Sequence, residues 1–412
     1  MRSTRRLGRC RSGGGAVTGD HLPIGRRVAY LRARRKMSQQ SFADRLGKSK
    51  SWVDKVERGV RSLERVSTIR DIAAVLRVDT AALLGRDARP VGAGERIEGV
   101  VRIRAAMSTY EMALGSQAAN RNFLPADRLA RQVEHAWTTF QHARYPEVVE
   151  LLPRLLIDVQ RAHVRNPEVG RAALVEVYRV TASVLVKLNE ATLAWLAADR
   201  AMSSAMGDRV LVAAAAVQLG QVLRASARAR TVMLAAAYQI APGDGDEGTP
   251  SELSLCGSLL VQAALIAARS GDDRTTADLL HDAAGMAARV GDGHDHHRTG
   301  FGPTAVELAR AAAAVDLGNG ADAVGLHRTA TAREGWRWLP LEHRAAHLLD
   351  AARAYLQSGD SINAARVLVQ ADRIAPAEVR HRPAARDLVA LVVRDSDAPA
   401  TIVQLAIRLG VV

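Results

Sequence analysis

The residues with chemistry to offer crowd one end of the chain. Residues 1–89 hold 22 Lys and Arg against 8 Asp and Glu, a surplus equal to the +14 carried by all 412 residues. The rest of the chain is therefore neutral. Lys36, Lys48, Lys50 and Lys55 are four of the five lysines, and Lys187 is the fifth. Cations gathered on a short segment suit a polyanion, because each neutralised phosphate releases condensed counterions. A second candidate group lies in GDGHDHHRTGFGPT, residues 291–304, where His294, His296 and His297 stand among Asp292 and Asp295. Imidazoles and carboxylates can hold a metal, but structural zinc sites fix their ligands at regular helix or hairpin spacing, which this run lacks. A solvated loop between helices is the expectation there. Asp244 and Asp246 open like a calcium loop but lack the third acid and the closing Glu. Gly13–Gly15 follows no strand, so it makes no phosphate loop. No GxSxG, HExxH, CxxC or kinase signature occurs, so no enzyme activity, cofactor or metal is expected.

The elements that must position the cations are helical. Hydrophobic residues make up 48% of the chain but aromatics only 4%, which disfavours sheets. Ala, Leu, Arg and Glu are strong helix formers, and an all-α protein is expected. Cys10 and Cys256 are too few for a disulfide scaffold. No charge-free run of about 18 apolar residues occurs, so no membrane span is expected. Residues 1–22 are rich in Arg and Gly, have no apolar core of a signal peptide, and read as a disordered basic arm.

From Ile24 to Leu84 the pattern is short helices in quick succession. The first spans Ile24 to Lys36, with Ile24, Val28 and Leu31 on one face. Ser38 caps a second, Gln39 to Leu46, which Gly47 ends. Ser49 caps a third, Lys50 to Arg58, ended by Gly59; Val66 to Leu76 is a fourth, and Thr80 opens a short fifth ended by Gly85. Two short helices joined by a glycine-containing turn make a helix-turn-helix. The run SQQSFADRLGKSKSWVDKVERG, residues 38–59, resembles that of the phage-repressor and Cro-like (XRE) family. Gln39, Ala43, Gly47 and Glu57–Arg58–Gly59 carry the resemblance, and so does the five-helix layout.

The resemblance implies that the third helix enters the major groove of double-stranded DNA. Lys50, Ser51 and Lys55 match the base-reading or groove-facing positions. Ser49 and Gln39 match phosphate contacts at helix N-termini. Arg61 and Arg65 would grip the backbone. Arg32 and Glu57 match a buried structural ion pair. Val53 and Val56 are expected in the core, and Trp52 is expected to pack on the first helix. Glu64 stands where the family often has proline, a departure in the loop after the recognition helix.

The domain reading is a basic arm at 1–22, the helix-turn-helix domain at 23–85, a linker and linker helix at 86–125, and a helical-repeat domain at 126–412. The linker helix is expected at about 97–115. HLLDAARAYLQSGDSINAARVLVQADRIAP, residues 347–376, resembles a tetratricopeptide repeat, with Ala352, Tyr355, Gly359, Ala364, Leu368, Ala371 and Pro376 in register. Weaker copies put hairpin turns at residues 143, 189, 226, 271 and 318. Their spacing exceeds the ideal 34, so extended helices or loops are expected, with inserts at 242–250 and 291–304. Stacked hairpins form a concave groove suited to a peptide or partner helix.

A helix-turn-helix followed by such repeats resembles the peptide-sensing regulators of Gram-positive bacteria and a large group of actinobacterial regulators. That resemblance implies a cytoplasmic, nucleoid-associated transcriptional regulator. It would act as a homodimer on a palindromic operator and answer to a peptide or protein in its groove. Two rival readings are an interaction scaffold that binds DNA without specificity, and a metal or small-molecule sensor using the 291–304 loop.

Overall fold

The computed structural model describes residues 24–61, 63, 66–76, 78, 83, 93–109, 124–224, 226–243, 248–395 and 397–411. These are helical throughout, with no strand among them. They fall into two compact units that divide between Arg89 and Pro90. The 1–22 arm, Glu64, Arg65 and nearly all of the expected fifth helix lie outside the described residues.

The first unit contains α1 (Ile24–Arg34), α2 (Gln39–Leu46), α3 (Lys50–Glu57) and α4 (Val66–Leu76). Val28, Phe42, Ala43, Val53, Val56, Ile69, Ile72, Leu76 and Leu83 bury one shared core. These apolar residues recur at the three-to-four spacing that gives each short helix one inward face. None of the four is long enough to persist alone in water, so this core is what holds them helical.

The second unit opens with α5 (Ala93–Met107), which ends well before the expected residue 115. It packs on α7 (Tyr145–Arg165), and Arg102 pairs with Glu150 there. Six helical hairpins follow among the described residues. They are α6 (Ala126–Gln141) with α7, α8 (Pro167–Lys187) with α9 (Ala191–Ala205), α10 (Arg209–Val222) with α11 (Ala227–Ile240), α12 (Pro250–Arg269) with α13 (Asp273–Val290), α14 (Pro303–Asp316) with α15 (Gly320–Ala332), and α16 (Leu341–Gln357) with α17 (Ser361–Ile374). Three helices, α18 (Pro376–Arg380), α19 (Pro383–Val393) and α20 (Ala400–Leu409), complete the unit.

Five of the six hairpins turn by the same device. Ala143, Asn189, Gly271, Gly318 and Gly359 all take left-handed backbone, with φ between 56° and 86°. In each, the amide of the next residue returns to a carbonyl five residues back, as Asp360 N to Tyr355 O at 2.8 Å and Asp272 N to Ala267 O at 3.0 Å. This satisfies carbonyls that the helix end leaves without partners. The turn at Ser226 differs: Ser226 has φ −102°. Small side chains let paired helices approach, and Ala194, Ala197, Ala201, Ala323, Ala364 and Ala371 are completely buried. Helix α12 is long and apolar enough by composition to cross a membrane, but most of it is buried at the centre of this unit.

The first helix of each hairpin packs against the first helix of the next, from α6 through α16, and α6 also meets α16. The row of first helices thereby bends round on itself inside the second unit. They enclose a channel of about 270 Å³ whose wall includes Trp137, Gln218, Arg224, Gln262, Asp316 and Asp350.

The bend is closed by a buried polar cluster. Lys187 Nζ on α8 lies 2.7 Å from Glu342 Oε2 on α16 and 2.5 Å from Glu378 Oε1 on α18. Arg382 donates to Glu378 at 3.1 Å, and the Tyr145 hydroxyl donates to the same carboxylate. His343 Nε2 stands 3.0 Å from Glu342 Oε1. Burial by itself would lower the His343 pKa and raise that of Glu342. The facing charges prevail, so His343 is held above and Glu342 below its ordinary value.

Candidate nucleic-acid interface

The α2–turn–α3 segment is built as its residues dictate. Ser38 Oγ accepts from the Ser41 amide at 3.0 Å and starts α2. Gly47 at φ 63° ends it, in a conformation that costs glycine little, while the Lys48 amide reaches back to Ala43 O at 3.0 Å. Ser49 Oγ accepts from the Trp52 amide at 3.1 Å and starts α3 only three residues after α2 has ended. Val53 and Val56 fix the inward face of α3 against α1 and α2, and Trp52 packs half-buried at the edge of that core.

The opposite face of α3 is left to solvent. Lys50, Ser51 and Lys55 are all exposed, on one short helix with an exposed N-terminus. The backbone N–H groups of Lys50 and Ser51 and the two ammonium groups there are donors, suited to phosphate oxygens and to guanine O6 and N7. Ser49 is also exposed, but its hydroxyl oxygen is occupied as the cap. Arg61 is exposed just beyond α3, its amide returning to Lys55 O at 3.0 Å.

Arg32 and Glu57 meet in a two-pronged ion pair. Arg32 Nε donates to Glu57 Oε1 at 2.5 Å and Nη2 to Oε2 at 3.0 Å. Glu57 is 5% exposed, and the hydrogen bonds from its carboxylate hold the Arg32 guanidinium above its ordinary pKa. The third Arg32 donor, Nη1, reaches Met37 O at 2.6 Å, bracing the turn between α1 and α2. Gln39 is drawn into the same cluster. Its side-chain amide donates to Glu57 Oε2 at 2.9 Å, because that carboxylate is the strongest acceptor within its reach. It is thus brought to the ion pair, and not among the exposed groups of α3.

Two contacts escaped the sequence reading. A Cβ on Gly25 would lie 2.1 Å from Val56 O, so α1 approaches α3 more closely than any side chain allows. A glycine inside an apolar-periodic helix is the signal that could have shown it. Arg27 Nη1 donates to Leu83 O at 3.1 Å, tying the start of the unit to its end.

The 291–304 segment is the expected loop between helices, exposed at Gly293, His294 and Asp295, but much of it is tied inward. Asp292 accepts from both the amide and the hydroxyl of Thr304, and Asp295 from the Gly300 amide and the Gln141 side chain. Arg179, itself completely buried, donates to His297 O at 2.7 Å, and Ser251 Oγ lies 2.6 Å from His297 Nε2. His297 and Arg298 sit in left-handed backbone, a strain that these bonds and the Arg298–Glu134 pair hold in place. Buried donors, Arg179 above all, draw the loop inward. Among the described residues, no three His, Cys, Asp or Glu side chains are placed to share a metal.

The family model of a helix-turn-helix domain matches residues 23–84, which lie within the first unit. The chain thus carries a helix-turn-helix DNA-binding domain at its basic end. No curated protein and no solved structure matches the chain.

Proposed function

We propose that this chain is a sequence-specific, XRE-type transcriptional regulator. Its helix-turn-helix domain reads an operator, and its helical hairpins, of tetratricopeptide kinship, bind a regulatory ligand. The observation that carries the reading is α3. It is a short capped helix locked from behind by Val53, Val56 and Glu57, with Lys50, Ser51 and Lys55 free on its outer face. Lys50, Ser51 and Lys55 read base edges; Ser49, Arg61 and Arg65 hold phosphate, joined at the start of α2 by Gln39 through its backbone N–H, since its side chain is committed to Glu57; Arg32 and Glu57 keep the helix in place. One such domain covers little DNA, so the regulator works as a homodimer on a palindromic site. The site of action is the nucleoid, in the cytoplasm. The peptide or protein ligand binds in the channel of the second unit, whose polar wall supports that role.

The test is binding at about 150 mM salt to the DNA upstream of its own gene and to a shuffled copy, by the full chain and by residues 91–412. A regulator prefers one site by about 10³-fold or more, and only with the first unit present. Lys50→Ala with Lys55→Ala should cost about 1–3 kcal/mol per base contact and relax sequence preference. Arg61→Ala should weaken all sequences alike and flatten the salt dependence. Equal binding to both DNAs, abolished by salt, would instead favour an interaction scaffold.

A further inference from the structure

Among the described residues, the channel of the second unit contains one cation, Arg224, with no ion-pair partner. The channel's acids are spoken for. Asp316 is held by Arg269 at 3.1 Å and Arg353 at 2.9 Å, Asp350 by Arg353 at 3.5 Å, and Glu342 by Lys187. Glu378, just behind the wall, is shared by Lys187 and Arg382. Arg224, in the turn after α10, has no such partner. Its one hydrogen bond among the described residues runs from Nη2 to the amide oxygen of Gln262 at 3.1 Å. Its Nε is closed off from solvent and bonded to nothing, and its Nη1 has no protein acceptor among the described residues.

A guanidinium placed this way is costly. It is removed from most of its water, given one neutral acceptor, and set near the like charges of Arg269 and Arg382, while the nearby carboxylates of Asp350 and Asp316 are paired with Arg269 and Arg353 instead. Burial first and Arg269 next push its pKa down, with a smaller push from Arg382; Asp350 and Asp316 oppose them without touching the guanidinium, and it comes to about 10, so it stays charged at neutral pH. An anion would satisfy both the charge and the idle Nη1 donor.

We propose that Arg224 is the anchor of an anion-binding subsite in the channel, taking a carboxylate or phosphate group of the ligand. Nη1 donates to the anion. The Gln262 amide, which holds Nη2, fixes the plane of the guanidinium, and Arg269 and Arg353 add to the positive field around it. Trp137, Phe301 and Leu308 elsewhere on the wall offer apolar surface to the remainder of the ligand. The proposal rests on the reading of the channel as a ligand site, but not on the reading of the first unit as a DNA binder.

The test therefore uses no DNA. Thermal unfolding of the full chain is followed by tryptophan fluorescence, since four of its five tryptophans, Trp137, Trp195, Trp336 and Trp338, lie in the second unit. The probes are inorganic phosphate and citrate, each against chloride at equal ionic strength. A rise in the midpoint with phosphate alone assigns a phosphate subsite; a rise with citrate assigns a carboxylate one. Arg224→Gln should weaken the responding anion by about 10- to 100-fold. Arg224→Lys, which keeps the charge, should retain part of the response. No rise in the native chain with either anion overturns the proposal, whether or not the variants fold. So does a rise of equal size in Arg224→Gln. Failure of specific DNA binding would leave this result untouched, and the converse holds.

Discussion

Glu57→Ala separates a structural role from a contact role at the DNA-binding unit. The substitution removes an acceptor of three hydrogen bonds, two from Arg32 and one from Gln39. Arg32 keeps only its bond to Met37 O. Deleting one partner of a buried pair costs about 3–5 kcal/mol. Here the Arg32 side chain is 15% exposed and the Glu57 side chain 6%, so water recovers part of the loss for Arg32. About 2–3 kcal/mol is the expected cost. For a unit of this size each kcal/mol moves the midpoint by about 4–8 °C, so the first unit should melt roughly 10–20 °C earlier. The assay is circular dichroism melting of the full chain alongside DNA binding well below the new midpoint. Folded Glu57→Ala should still discriminate its operator, with affinity reduced in proportion to the unfolded fraction. A cycle with Arg32→Ala should give a coupling of about 1.5 kcal/mol or more. Lost affinity with an unchanged midpoint, or a coupling near zero, would refute the clamp and make Glu57 part of the DNA contact surface.

Gly25→Ala forces a Cβ against Val56 O and should push α1 from α3, destabilising the first unit by about 1–3 kcal/mol in the same melt. Lys187→Met leaves Glu342 and Glu378 buried without their shared cation and should cost the second unit about 3–5 kcal/mol by denaturant titration. His347 lies buried 3.0 Å from His327, and burial, then that neighbour, push it down to about 3. Because its folded pKa lies below the unfolded 6.5, protons favour unfolding. The penalty is absent above pH 6.5 and grows as pH falls toward 3, reaching about 2 kcal/mol at pH 5. His343, whose pKa is raised, works in the opposite direction. His347→Gln should flatten the net loss of stability between pH 6.5 and 5.

Local rules made the first unit legible. Ser38, Gly47 and Ser49 are caps whose chemistry acts within three or four residues, so α2 and α3 begin where those side chains say. Gly271, Gly318 and Gly359 mark hairpin turns for the same reason, and Ala143 and Asn189 were found through the pattern around them. Distance in sequence hid the rest. Lys187 carries no local sign that it closes on Glu342, 155 residues away, and the loop of three histidines looked solvated because its buried partner, Arg179, lies 118 residues from His297. Gln39 kept its expected place on α2, but no motif spells out its bond to Glu57.

An open array of helical hairpins has two ends, each free to fray, and stability that adds up one neighbour at a time. The cluster around Lys187 removes that freedom, because it staples the second hairpin to the last helices of the unit. Opening either end first must break a buried ionic contact together with ordinary packing. Amide hydrogens across the hairpins should therefore exchange through one shared event rather than in a gradient from the termini. The nucleus of that unit must also wait for residues far apart in sequence to find each other, which slows folding for a protein made only of helices.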